Sequence, residues 1–233
     1  FSTIGSHGSL TVEQALMNSC NPYMIHLALE MGNSRFAYYQ SLFGFGKITG
    51  IDLPGETTGI VYGDRMTTID AACNSFGQTI NVNMMQMMAA YCSIINGGML
   101  YQPHIVKRIE SANGEVVKEY KANLVRQTIT ASTSKLLRRY LKNTVEEGTA
   151  KKAGVTGYSV AGKTGTAQKG DRKDNKWIIS FIGHAPAENP KFAIYVVIDE
   201  PYGTTGTSGS SADVLTLTHN ILEKLLPYMN VYK

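Results

Sequence analysis

The sequence predicts a mixed α/β domain in which helices cover an antiparallel sheet. Helical patterns fill most of the first half of the chain. Three strand-like runs then follow one another, Tyr158 to Gln168, Trp177 to His184 and Lys191 to Ile198, and a last helical pattern closes the chain. The links between the three runs are short and polar, which suits antiparallel neighbours and not crossovers. The chain has 233 residues, 43% hydrophobic and 17% charged. That is too apolar for disorder, and a folded domain of such length buries roughly 70% of its unfolded-chain surface.

Taken in order, Thr11 with Gln14 three positions on forms a capping box and opens a short helix through Ala15, Leu16 and Met17. Ser19-Cys20-Asn21 interrupts it, and Pro22 restarts a helix with Met24, Ile25, Leu27, Ala28 and Met31 on its apolar side. Gly32 ends that helix. A third helix runs from about Arg35 to Leu42, and the Gly and Pro spacing from Gly44 to Gly63 reads as loops and short strands. Asn83 with Gln86 caps an apolar helix that Asn96-Gly97-Gly98 stops. Leu100 to Ile109 and Val116 to Tyr120 flank Asn113-Gly114, a hairpin signal. An amphipathic helix runs from near Ser132 to about Glu147. After the three strands comes a Gly/Ser/Thr run from Gly203 to Ser211, then a helix carrying Val214, Leu215, Leu217, Ile221, Leu222, Leu225 and Leu226.

Composition excludes several classes. Lys+Arg 22 against Asp+Glu 18 gives +4, evenly spread, which argues against nucleic acid as a partner. The odd set Cys20, Cys73 and Cys92 has no close spacing, so neither a disulfide framework nor a zinc ribbon is expected. No apolar run approaches the roughly 20 residues of a membrane span. The chain starts at Phe1 without Met, in a polar Gly/Ser stretch, and is expected to be a cut from a larger protein.

The sharpest chemical feature is Ala161-Gly162-Lys163-Thr164-Gly165-Thr166-Ala167, placed on a strand. A phosphate loop needs wider glycine spacing and a helix directly after the lysine, so that reading fails. Strand alternation puts Lys163 and Gly165 on one face and Thr164 and Thr166 on the other. A glycine between two threonines lets a ligand backbone lie close along a strand edge. The hydroxyls and the ammonium suit a carboxylate, and an edge N–H suits an oxyanion. Ser19-Cys20-Asn21 sits at a helix break, where a hydroxyl and an amide can project into a cleft; its plainer role is capping the Pro22 helix. Asp171, Asp174 and His184 offer a weak metal pattern, with the two aspartates in a polar turn, and no metal site is expected there.

Together, and in this order, the two motifs resemble those of penicillin-binding protein transpeptidases. The resemblance covers nearly the whole chain. His7-Gly8, Phe45-Gly46, the run Thr49-Gly50-Ile51-Asp52-Leu53-Pro54-Gly55-Glu56, Phe76-Gly77-Gln78, Asn96-Gly97-Gly98, Ser180-Phe181-Ile182-Gly183 and Ala185-Pro186 are similar to the class B branch. Within that branch, the Ser19-Cys20-Asn21 turn and the run from Ala161 to Gln168 look most similar to the division and stage V sporulation types. The resemblance implies the helix-flanked five-stranded sheet of the transpeptidase and serine β-lactamase-like fold, short of its N-terminal strands, with residues 1–233 as the C-terminal part of the domain. It implies acyl transfer on peptidoglycan stem peptides, with β-lactams as mimics and no cofactor. Ser19 would relay a proton near the leaving nitrogen, Asn21 would bind a substrate amide, and Lys163 would supply positive potential. Thr164 and Thr166 would hold the terminal carboxylate across Gly165, and the Thr166 N–H would be an oxyanion donor. It further implies other cell-wall synthesis or division proteins as partners. The place of work would be the outer face of the cytoplasmic membrane, through an anchor upstream of Phe1.

The family's Ser-x-x-Lys should lie before the Ser19 turn, so the nucleophile is expected outside the chain. Ser132-Thr133-Ser134-Lys135 matches the string but not the order. Its helix is expected to bury Leu136, Leu137, Tyr140 and Leu141 and to turn Lys135 outward with Arg139 and Lys142. The competing class is a catalytically silent module that keeps the fold for ligand recognition; a serine β-lactamase ranks last, because the Gly44–Glu56 and Ala72–Gly98 patterns fit the class B branch. Residues 1–233 expressed alone should melt without a cooperative transition and take up no covalent penicillin; a sharp monomeric melt with a stoichiometric acyl adduct by mass spectrometry would place the nucleophile inside the chain.

Overall fold

The computed structural model describes residues 7–170, 173, 176–201 and 210–231. Its helices are α1 (Val12–Met17), α2 (Asn21–Met31), α3 (Asn33–Leu42), α4 (Thr68–Asn74), α5 (Met84–Ile95), α6 (Ala131–Glu146) and α7 (Ala212–Tyr228). Its strands are β1 (Met99–Gln102), β2 (Arg108–Glu110), β3 (Val116–Glu119), β4 (Asn123–Gln127), β5 (Ala161–Lys169), β6 (Lys176–Ala185) and β7 (Phe192–Asp199). The helix starts follow local chemistry. Thr11 with Gln14, Thr67 with Asp70 and Asn83 with Gln86 each close a complete capping box, satisfying amide donors that the first turn leaves open.

The three expected strands form one antiparallel sheet in the order β5-β6-β7. Lys163 pairs with Ile182, and Ser180 pairs onward with Val197. On one face Ile179 and Phe181 are buried against Val214, Leu215, Leu222 and Leu226 of α7. On the other, Ala161 and Ile182 meet Tyr91 and Ile95 of α5 and Leu141 of α6. The sheet is therefore covered on both sides, and truncating one of these large side chains to alanine costs about 2–5 kcal/mol. A separate cluster of Ala37, Met66 and Ala71 joins α3 to α4.

Several boundaries differ from expectation, each for a physical reason. The Asn113-Gly114 hairpin is real but short: β2 pairs β3 from Arg108↔Glu119. Leu100 and Tyr101 belong to another strand, β1, which pairs with β4, an element the sequence pattern did not mark. Pro103 ends β1, and the Asp52 carboxylate accepts the N–H groups of Ile105 and Val106, both at 2.8 Å, and draws the chain away. Those two bonds hold the Asp52 carboxyl below its ordinary pKa. Helix α4 also went unmarked. Pro22 takes the second helical position, not the first, because Asn21 already belongs to α2. Strand β5 starts at Ala161, not Tyr158, since Tyr158 N–H closes a turn on Val155 O and Ser159 O accepts from Ala187. The Gly203–Ser211 run falls mostly outside the described residues.

Helix α6 corrects a further expectation. Its cap is Thr130, not Ser132. Leu136 is 40% exposed, and the buried stripe is Ser134, Leu141, Thr144 and Val145. Small hydroxyl residues take the inward positions because they bond across the contact. Ser134 Oγ accepts from Gly97 N–H at 3.0 Å, while Arg138 Nη1 donates to Ile95 O at 2.7 Å.

One buried polar pair joins α5 to the sheet. Tyr91 OH and His184 Nδ1 are 2.7 Å apart, and His184 Nε2 lies 3.2 Å from Ala187 O. A neutral imidazole fits both contacts, accepting from Tyr91 and donating to the carbonyl. Burial pushes the His184 pKa from 6.5 down to about 4. The unfolded chain therefore takes up its proton first as pH falls. The stability carried by neutral His184 is intact above 6.5 and lost as pH drops toward 4. In denaturant melts of the full-length protein, this group should account for a loss of about 2 kcal/mol between pH 7 and 5. His184→Gln should flatten that slope, and an unchanged slope would rule His184 out as its source.

Candidate active site

The site begins with a strained turn. Helix α1 ends at Asn18, and Cys20 N–H bonds back to Ala15 O at 2.9 Å. The chain can make that return in so few residues because Ser19 takes a left-handed conformation, φ 50°, a region costly for any residue with a Cβ. Cys20 is buried at 7% exposure and anchors the turn, leaving Ser19 and Asn21 on its outer side. Cys20 is thus a packing residue, and all three cysteines are unpaired thiols.

Across from this turn lies β5, at the edge of its sheet. Lys163 Nζ donates to Ser19 Oγ, although 144 positions separate them. The same ammonium reaches Thr164 O at 3.1 Å and Thr164 Oγ1 at 3.3 Å. Burial pushes Lys163 down from 10.5 to about 8. A cleft of about 410 Å³ opens here, lined by Leu16, Ser19, Asn21, Met24, Ser75, Phe76 and the run Lys163, Thr164, Gly165 and Thr166. Alternation puts Lys163 and Thr164 on opposite faces of the strand, yet all four residues of the run border one cleft because the strand is an edge. The six sequence-predicted residues Ser19, Asn21, Lys163, Thr164, Gly165 and Thr166 are brought together.

The glycines answer to their own sheet as well. A Cβ at Gly165 would lie 2.6 Å from Ser180 Oγ on the neighbouring strand. At Gly162 it would lie 2.3 Å from Phe181 Cζ and 2.5 Å from Ile182 O. The Thr144 hydroxyl of α6 is shared between Leu141 O and Gly162 O, fixing β5 one residue before Lys163.

Sequence reasoning missed Leu16, Met24, Ser75 and Phe76 as cleft wall, and Thr149, whose Oγ1 lies 3.4 Å from Ser19 Oγ. Phe76-Gly77-Gln78 had been noted as a pattern, but nothing in it says which way Phe76 faces. Ser132 and Lys135 lie elsewhere, in a groove of about 420 Å³ beside Glu188. Lys135 is exposed, and Ser132 Oγ bonds Thr130 Oγ1 at 2.9 Å. Among the described residues no cluster of three metal-ligating side chains occurs. His184 spends both nitrogens on Tyr91 and Ala187, while Asp171 and Asp174 lie outside the described residues.

A serine hydroxyl on a half-buried lysine, beside an open strand edge, is an arrangement for holding and moving a proton next to an extended peptide. Comparison with known proteins agrees. The chain belongs to the penicillin binding protein transpeptidase domain family, which it matches over residues 2–223. It is 40% identical over 232 residues to stage V sporulation protein D of Bacillus subtilis, across 97% of this chain and 36% of that protein. It is 33% identical to peptidoglycan D,D-transpeptidase FtsI of Escherichia coli over 203 residues, 85% of this chain and 33% of the relative. Its fold superposes on crystal structures of penicillin binding protein 3 from Mycobacterium tuberculosis. The apo form gives a TM-score of 0.86 at 29% identity, and the aztreonam complex 0.85 at 31%, each covering 95% of this chain and 52% of the other. The chain thus spans about a third of the length of these curated relatives.

The electrostatics carry a prediction. Burial disfavours the charged ammonium, so Lys163 should lose its proton near pH 8. Following its side-chain carbons by NMR in the full-length protein should give that midpoint in the folded state and one near 10 after denaturation. A folded midpoint equal to the denatured one would show that burial has no hold on this group.

Proposed function

We propose that the chain is the C-terminal part of the transpeptidase domain of a class B penicillin-binding protein, cross-linking peptidoglycan stem peptides through a serine acyl-enzyme. The observation that carries this reading is the Lys163–Ser19 contact at the β5 edge. In the first step a serine oxygen bonds the carbonyl carbon of a D-Ala-D-Ala terminus, the C–N bond breaks, and D-Ala leaves with a proton on its nitrogen. A second stem's amine then takes the acyl group and frees the serine. Ser19 passes the proton to the leaving nitrogen, and Asn21 bonds a substrate amide. Lys163 supplies positive potential and lowers the cost of charge on Ser19. Thr164 and Thr166 hold the terminal carboxylate, Gly165 keeps the strand close to the peptide, and the Thr166 N–H donates to the oxyanion.

The nucleophile comes from outside residues 1–233. The one internal Ser-x-x-Lys string supports this, since Ser132 and Lys135 sit in a different groove from Ser19 and Lys163. The full protein works with other cell-wall synthesis or division proteins on the outer face of the cytoplasmic membrane. Among the described residues no helix is long and apolar enough to cross a membrane. β-Lactams mimic the terminal dipeptide, in line with the ampicillin-bound relative from Mycobacterium tuberculosis.

Labelling of the full-length protein with fluorescent penicillin tests this. The wild type should acylate. Ser19→Ala and Lys163→Ala should each slow acylation by roughly 10²-fold or more, and Ser132→Ala should leave it unchanged. Loss of labelling in folded Ser132→Ala would make Ser132 the nucleophile. No labelling of the wild type would favour the silent recognition module.

A further inference from the structure

A hydroxyl offers one hydrogen and two lone pairs, whereas an ammonium only donates. When Lys163 is charged it occupies a lone pair of Ser19 and leaves the serine hydrogen to point elsewhere. The acceptor within reach outside β5 is Thr149 Oγ1, 3.4 Å from Ser19 Oγ. That distance is longer than the roughly 2.5–3.0 Å of an ordinary hydroxyl–hydroxyl bond. The turn carrying Thr149 is nevertheless tightly seated. Thr149 N–H donates to Met17 O at 3.1 Å, and Ala150 N–H to Thr144 O at 3.0 Å. A Cβ at Gly148 would lie 2.8 Å from Met17 O and 2.9 Å from Thr144 Cα, so this turn presses directly on the end of α1.

We propose that Thr149 is a positioning residue that rests the Ser19 hydroxyl hydrogen on its own Oγ1 until substrate arrives, which keeps Ser19 in one rotamer with a lone pair open to take up a proton as its own hydrogen turns to the leaving nitrogen. The proposal rests on the transpeptidase reading above and adds to it a residue from the α6–β5 link. Its hold depends on the state of Lys163. Below about pH 8 the lysine is charged and the serine hydrogen goes to Thr149; above it the neutral amine can accept that hydrogen itself, and Thr149 no longer matters.

Lys163 is the titratable group lining this cleft. The other charges on the surrounding elements are Glu13 on α1, bonded by Asn143 and 3.6 Å from Arg139, and the His26–Glu30 pair on α2. Asp70 lies on α4, and Lys135, Arg138, Arg139, Lys142 and Glu146 lie on α6. Glu147, Lys151 and Lys152 follow α6, and Lys169 of β5 is paired with Asp199 and Glu200. These are present in wild type and variant alike, so the difference between their pH profiles isolates the Ser19–Thr149 pair.

The test measures benzylpenicillin acylation of the full-length protein at pH 6.5 and 9.5, separating the binding constant from the acylation rate constant. Thr149→Val should lower the rate constant about five- to tenfold at pH 6.5, the worth of one hydrogen bond. At pH 9.5 the two proteins should agree within about twofold, with the binding constant unchanged at both pH values and Thr149→Ser matching wild type throughout. Equal rates at pH 6.5, an equal loss at both pH values, or no rescue by serine would overturn the proposal while leaving the transpeptidase reading intact. If Thr149→Val fails to fold by thermal melt, Thr149→Ala against Thr149→Ser makes the same comparison. A wild-type protein that never acylates would bring down the underlying reading, and this proposal with it.

Discussion

The buried Thr144 hydroxyl is the joint on which the site depends. It is fully excluded from solvent and shared between the carbonyls of Leu141 and Gly162. Leu141 belongs to α6 itself, but Gly162 belongs to β5, so the bond fixes the strand against the helix one residue before Lys163. Five residues on, the same segment bonds Met17 at the end of α1 through Thr149 N–H. The C-terminal end of α6 therefore touches both halves of the cleft. Ser19 and Lys163 keep their separation because each is referred to the same rigid piece, and an unpaired buried hydroxyl at Thr144 would cost about 1–3 kcal/mol.

Around this joint the sheet behaves as a packed layer with little slack. Phe181 fills the space over Gly162 and Gly183, where a Cβ would come within 2.3 and 2.5 Å of its ring. The aromatic ring thus locks the start of β5 to β6 from the α7 side. On the opposite face the Tyr91–His184 pair does the same work with polar groups. Such a pair is rigid only while it is fully bonded, which makes the α5 contact a pH-sensitive side of the sheet.

Much of this was legible in the sequence, because strand runs and helix caps depend on residues near one another in the chain. Thr11 with Gln14 and Asn83 with Gln86 specify their caps within four residues, and the boxes form as read. Ser19 and Lys163 stand out as two separate motifs, and only a family resemblance joins them, since no periodicity links positions so far apart. Thr149 belongs to no such pattern and is 130 positions from Ser19, so only the fold reveals it. The hairpin was read too long because Asp52, some fifty residues upstream, bonds the backbone of Ile105 and Val106 and redirects it. Leu136 was read as buried from helical period alone, whereas Ser134 and Thr144 take the inner positions through hydrogen bonds that hydrophobicity does not register.

The left-handed backbone at Ser19 bears on how this turn can evolve. Glycine would adopt φ 50° without penalty, and would relieve a strain of roughly 1–2 kcal/mol. It would also delete the hydroxyl that meets Lys163. On the proposed chemistry the position sets fitness for folding against fitness for function, and a screen for thermal stability alone would drift toward glycine there. Screens on Ser19 need a chemical readout, because a gain in melting temperature is the expected mark of a lost site.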